Sequence, residues 1–334
     1  MIRLLTPKKE YTIDYQEAVD FAATQQHILW TPDEIEVEKD LHDIRTNFTP
    51  AEYHGVVSTL KLFTLYELSV GQDYWSGYIS RLFQRPDIQR MANCFSFVEI
   101  NVHAPFYNKI NEVLGLDTNE FYNSYLDDPI LKNRMDWIGK RVVKDNTHMD
   151  RLKSIAIFSM IEGAILYSSF AFLKHFQAEG KNKLTNVTAG INFSVKDENI
   201  HSEAGAWLFR TYLRELSSDF ESTALNIPEL AEELYETANI IYEHECVIID
   251  KIFEHGDIKG ISSNQIKSFV QHRIDLCLNQ LGFRSLFKPN DDAIEKWFYK
   301  NINGSKLVDF FSKQGNEYNR NWNEKRFIWK IDAT

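Results

Sequence analysis

The sequence predicts an all-α protein, a four-helix bundle core with additional helices around it. Three observations carry that expectation. Glycine and proline are sparse, 14 and 8 in 334 residues. Apolar residues recur at helical rather than alternating spacing. Two of the helical runs each hold a glutamate followed closely by a histidine, Glu99-Ile-Asn-Val-His103 and Glu198-Asn-Ile-His201, a pattern by which bundles build metal sites in their cores.

The elements follow in order. After an N-terminal arm, Thr49-Pro50-Ala51-Glu52 supplies an N-cap, a proline at the first helical position and a capping-box glutamate. A long helix opens there and carries Glu67 in LYELSVGQDYW. Pro86 starts the next, with Glu99 and His103. Asn146-Thr147 precedes a helix that runs through Glu162, in FSMIEGAILYSSF, and stops near Gly180. Another, from about 185 to 216, carries Glu198 and His201. Helices near 228–255 and 263–281 complete the set. Residues 1–300 read as one domain, and 301–334 as a polar, irregular, flexible tail.

A hydrophobic content of 43% with 13% aromatic residues suffices for a large core. The net charge of −11 leaves no basic stripe for phosphates, which argues against a nucleic-acid partner. Cys94, Cys246 and Cys277 are scattered without CxxC spacing, so neither a disulfide framework nor a zinc site is expected. MIRLLTPKKEY lacks the apolar core of a signal peptide. The most apolar run, 163–173, is about half the length that spans a bilayer. A soluble cytoplasmic protein with no membrane partner is expected.

Residues three or four apart on a helix lie roughly 60° or 40° apart around its axis, so each glutamate–histidine pair shares a face. Glu162 sits in a run with almost no other charge, and a buried, unpaired carboxylate needs a cation. The candidate ligands are therefore Glu67, Glu99, His103, Glu162, Glu198 and His201. Four carboxylates balance two divalent ions, and neutral imidazoles add no charge. Oxygen-rich ligation with one histidine per ion suits iron or manganese better than zinc or copper; two iron ions are the expectation, with manganese or a mixed pair as alternatives. His27, His54, His175 and His272 read as solvent or packing residues. The run Tyr242-Glu243-His244-Glu245 reads as a solvated face.

With Tyr107 four residues beyond His103, these motifs resemble the radical-generating small subunit of class I ribonucleotide reductase, from about Trp30 to the C-terminus. The resemblance implies a ferritin-like bundle whose metal pair, activated by oxygen, oxidises Tyr107 to a stable radical. It implies that Asp197 orients a metal-bound imidazole, that of His103. Trp30, in ILWTPDEIEVEKD, would link the site to the surface, and Tyr318, in FFSKQGNEY, would be the relay tyrosine of the tail. It further implies a homodimer and a large catalytic subunit, docked through that tail, on which ribonucleotides are reduced. Leu166 and Phe170 are expected to wall off Tyr107 from water.

Three departures from the family pattern stand out. The first ligand is usually aspartate, and here it is Glu67. The first pair usually encloses two residues, and here three; Pro105 follows and cannot donate to the carbonyl of Asn101. An extra residue plus a missing donor predicts a π-bulge that returns His103 to the metal. Ser194 stands where the radical pocket is generally apolar. A ligand-binding di-iron oxidase of desaturase-like type and a ferritin-like iron store are the alternative functions; neither requires Tyr318 or a docking tail.

Overall fold

The computed structural model describes residues 2–61, 63–140, 147–218 and 225–299. Helix α1 spans Gln16–His27. Helix α2, Pro50–Leu60, opens as its cap predicts: Thr49 accepts the Glu52 N–H, and the Glu52 carboxylate accepts the N–H of Thr49. The expected single long helix is interrupted beyond Leu60. It resumes as α3, Phe63–Leu68, and widens into π turns over Ser69–Ile79.

Helix α4, Pro86–Val98, leads into a π turn over Glu99–His103 and then α5, Ala104–Leu114. The bulge predicted from the extra residue and Pro105 is thus where the sequence placed it. The Ala104 N–H reaches back five residues to the Glu99 carbonyl. Gly71 lets the neighbouring π stretch approach this turn; a Cβ there would sit 2.8 Å from Ile100 Cγ1 and 3.0 Å from Glu99 Cβ.

Helix α6 covers Pro129–Gly139, capped by Asp128. Helix α7, His148–Ala164, starts at a capping box of Thr147 and Asp150. Its continuation toward Gly180 is not the unbroken helix the sequence suggested. Ile165 turns extended and Leu166 adopts a left-handed φ of 73°, so the chain restarts as α8, Tyr167–Lys174, and tightens over His175–Gly180. Helix α9, Thr185–Ser218, is held at its start by Asp40, which accepts the N–H groups of Asn186 and Val187. Helices α10, Ile227–Ile252, and α11, Ser263–Leu281, follow. Among the described residues there is no strand, only an isolated bridge between Ile258 and Ile261.

The bundle consists of α3 with its π extension, α4 with α5, α7 and α9. Helices α7 and α9 pack along much of their length, and α10 and α11 pack on α7 and on each other. The stretch 148–178 proves long and apolar enough to cross a membrane, more so than the sequence reading of 163–173 allowed. All of its apolar window is buried inside the bundle, as a core helix requires.

One further expectation is corrected. Glu245 does not lie on a solvated face: it is buried, ion-paired to the buried Arg134, and its other oxygen takes the Ser168 N–H. Burial of one charge demanded the other. His175 is a packing residue, ringed by Phe172 and Phe176. Asn146, Tyr318 and the whole of 301–334 lie outside the described residues.

Candidate metal centre

The six predicted ligands converge. Glu67 comes from α3, Glu99 and His103 from the π turn, Glu162 from the last turn of α7, and Glu198 and His201 from α9. All six are buried. Their donor atoms form two groups: Glu67, Glu99, His103 and Glu198 in one, Glu99, Glu162, Glu198 and His201 in the other. Glu99 and Glu198 belong to both, an overlap compatible with a dinuclear metal site.

The π turn supplies this geometry. It holds His103 Nδ1 at 3.0 Å from Glu99 Oε2 and 3.3 Å from Glu198 Oε1. His201 Nδ1 lies 2.6 Å from Glu99 Oε1, yet without the alignment of a hydrogen bond. Glu67 Oε1, Glu99 Oε1, Glu198 Oε1 and both His201 nitrogens are buried with no hydrogen-bond partner. Orphaned lone pairs crowded to this degree are expensive unless a cation collects them. The donor set suits a pair of divalent ions.

The electrostatics agree. Burial, then the charge of Glu99, pushes Glu67 well above the usual carboxylate range and Glu198 up to about 8. Glu162 is raised likewise, by burial and then by Glu198. Glu99 goes the other way: burial opposes ionisation, but the imidazoles of His103 and His201 outweigh it. Left to itself the cluster would retain protons, which bound divalent ions would displace.

Asp197 sits where the sequence comparison of motifs placed it. Its Oδ2 lies 2.9 Å from His103 Nε2, the nitrogen facing away from the carboxylates, and accepts the Trp30 indole N–H at 2.9 Å. Trp30 is buried against Phe106 and Phe193. Tyr107 is fully buried, its ring 6.4 Å from that of His103. Burial, then the nearby Glu67, holds its phenol well above the ordinary value. The Tyr107 and Ser194 hydroxyl oxygens are both buried with no hydrogen-bond partner.

Sequence reasoning missed several contributors. The Trp75 indole donates to Glu162 Oε1 at 2.5 Å. Gln25, from α1, donates to Asp197 Oδ1 at 2.7 Å. Phe63, at 4.5 Å, and Phe106, at 5.2 Å, lie against the Tyr107 ring, with Phe170 behind Phe63 at 5.9 Å from it. Trp75 lay within the quoted Glu67 run, but nothing in that run pointed to α7. Gln25 carries no local signal at all.

Comparison with known proteins adds the lineage. Residues 8–293 match the family described as ribonucleotide reductase, small chain. The "Probable ribonucleoside-diphosphate reductase small subunit" of Invertebrate iridescent virus 3 is 25% identical, over 91% of this chain and 82% of that protein. The ribonucleoside-diphosphate reductase small chain of Acanthamoeba polyphaga mimivirus is 24% identical, over 96% and 74%. In fold, the chain is similar to the dimanganese(II)-NrdF of Streptococcus sanguinis, with a TM-score of 0.71, 19% identity and coverage of 86% and 97%. It is equally similar to a ribonucleotide reductase R2 subunit from Clostridium botulinum, with a TM-score of 0.70, 23% identity and coverage of 89% and 90%. The match spans most of the chain, and the protein belongs to the ribonucleotide reductase small-chain family.

Proposed function

We propose that this chain is the radical-generating subunit of a class I ribonucleoside-diphosphate reductase. The observation that supports it most is the continuous hydrogen-bonded path from the candidate ligand His103 through Asp197 to Trp30, beside a buried tyrosine. Glu67, Glu99, His103, Glu162, Glu198 and His201 would hold two metal ions, Glu99 and Glu198 having donor atoms in both ligand groups. The set suits iron and manganese alike; a di-iron centre is the first reading, with manganese or a mixed pair as alternatives.

When bound, such a pair supplies with oxygen a one-electron oxidant. The protein's own residues do the rest. Asp197 fixes the ring plane of His103 through its distal nitrogen. Phe63, Phe106 and Phe170 keep water from Tyr107. With its ionisation suppressed, Tyr107 is protonated at neutral pH, so its oxidation releases a proton together with an electron. Trp30, tied to the same Asp197 oxygen, is the exit for the oxidising equivalent.

The working partner is a large catalytic subunit, reached through the tail 301–334, in a complex with a homodimer of this chain in the cytoplasm. In 313–334, Tyr318 precedes Trp322, Phe327, Trp329 and Ile331 in an otherwise polar stretch. Large apolar side chains gain most in a partner's groove. Metal analysis with electron paramagnetic resonance tests the centre: two ions per chain and a tyrosyl signal after oxygen are expected, and many ions per chain would mean storage instead. Deleting 320–334 should abolish large-subunit binding while metals and radical persist. Tyr318→Phe should bind without turnover, and full activity in that variant would end the relay.

A further inference from the structure

Helix α7 ends at Ala164, two residues beyond Glu162, where Ile165 turns extended and Leu166 takes the left-handed conformation. The last carbonyls of a helix have no partner within it, so the Gly163 carbonyl, next to the candidate ligand, must be satisfied from elsewhere. Arg273 of α11 does this, with Nε 2.9 Å from that oxygen. Its Nη2 donates at 2.9 Å to Asn199 Oδ1, the neighbour of the candidate ligand Glu198. Its Nη1 donates at 2.9 Å to the hydroxyl of Tyr299, the last described residue before the tail.

The guanidinium is buried and lies 3.8 Å over the face of Tyr167. The Tyr167 hydroxyl donates at 2.9 Å to the same Asn199 oxygen. A planar fork of fixed geometry cannot follow one acceptor without moving against the others.

A second buried cation grips the same root by a separate route. Lys174 donates to the Phe298 carbonyl at 2.7 Å and lies 4.2 Å over the Phe298 ring. It makes no hydrogen bond to the Gly163 carbonyl or to Asn199, the two acceptors that Arg273 holds, and so serves as a comparison.

We propose that Arg273 is a positioning residue that links the Glu162 and Glu198 segments to the root of the C-terminal tail, so that occupancy of the metal centre and the seating of the tail influence one another. The link rests on the metal reading above. Ions held by Glu162 and Glu198 would restrain the turns that carry the Gly163 carbonyl and Asn199, the two acceptors of the fork. The fork is then pre-aligned for Tyr299.

The test is hydrogen exchange at the amides of Lys296, Trp297 and Phe298 in the full-length protein, under anaerobic conditions, with and without Mn²⁺. These amides are hydrogen-bonded to Asp292 and Ile294 at the root. Mn²⁺ should slow their exchange by about tenfold, the worth of one hydrogen bond to a charged group. Tyr299→Phe keeps the ring packed on Phe269 and removes only the hydroxyl, and should reduce the Mn²⁺ effect to less than twofold. Arg273→Lys should do the same. Lys174→Met should speed exchange equally with and without Mn²⁺, leaving the tenfold ratio intact, which separates a link from mere loosening.

Two Mn²⁺ bound with no change in root exchange would overturn the link alone. So would a full Mn²⁺ effect in Tyr299→Phe. A wild-type chain that binds no Mn²⁺ would overturn the metal reading and the link together.

Discussion

Trp30 and His103 meet at a single atom: Asp197 Oδ2 lies 2.9 Å from the indole nitrogen of one and 2.9 Å from the distal imidazole nitrogen of the other. The other oxygen, Oδ1, accepts from Gln25, which holds the carboxylate against rotation. One rigid carboxylate therefore sets both the imidazole plane and the indole position.

Asp197→Asn is expected to weaken metal binding by about 10–100-fold, the usual cost of losing a carboxylate behind a metal-bound imidazole. The neutral amide oxygen is a weaker acceptor for the two N–H groups that share Oδ2, and the new NH₂ faces the Gln25 amide that donates to Oδ1. Metal titration of the purified variant checks this, and wild-type affinity would show that Asp197 does not orient His103.

His201 belongs to only one of the two ligand groups. His201→Ala should lower metal content from two ions towards one, with the Glu67–His103 side retained. Elemental analysis after exhaustive dialysis decides it. Loss of both ions would mean that the two positions fill only together.

Tyr107→Phe separates function from stability. The phenol oxygen is buried without a partner, so its removal should cost no stability and relieve up to about 1–3 kcal/mol of unsatisfied polarity. The tyrosyl signal should vanish in the same protein. Urea unfolding of the metal-free chain and a resonance spectrum of the oxygen-treated one give the two readings.

Lys174 gives a pH dependence with a definite sign. Burial first, then Lys196, lowers its ammonium to about 7 from an ordinary 10.5. The unfolded chain thus holds more protons between those values, and stability from this group is least below pH 7 and recovers as pH rises toward 10.5. Lys174→Met should be more stable than wild type at pH 6, and that advantage should shrink by roughly 2–3 kcal/mol at pH 9. Parallel urea midpoints at the two pH values measure it, and a constant difference would show that Lys174 is not desolvated.

Much of the architecture was legible because its causes are local. Thr49 with Glu52, Thr147 with Asp150, and Pro86 mark helix starts by hydrogen bonds that close within one turn. The bulge at Glu99–His103 was readable for the same reason: an inserted residue and a proline without an N–H both act on the helix that contains them. The six ligand candidates were legible as a set, since carboxylates amid apolar helical runs have few uses other than holding cations.

Other features depend on where distant segments meet, and no local pattern encodes that. Glu245 read as solvated until α6 brought Arg134 against it. The continuous helix expected through Glu162 breaks at Leu166, and Arg273, 110 residues away in sequence, caps the broken end. Gln25 reaches Asp197 across 172 residues and Trp75 reaches Glu162 across 87. Capping and periodicity are properties of a few consecutive residues, whereas the partner of a buried polar atom is chosen by packing, which the whole chain settles at once.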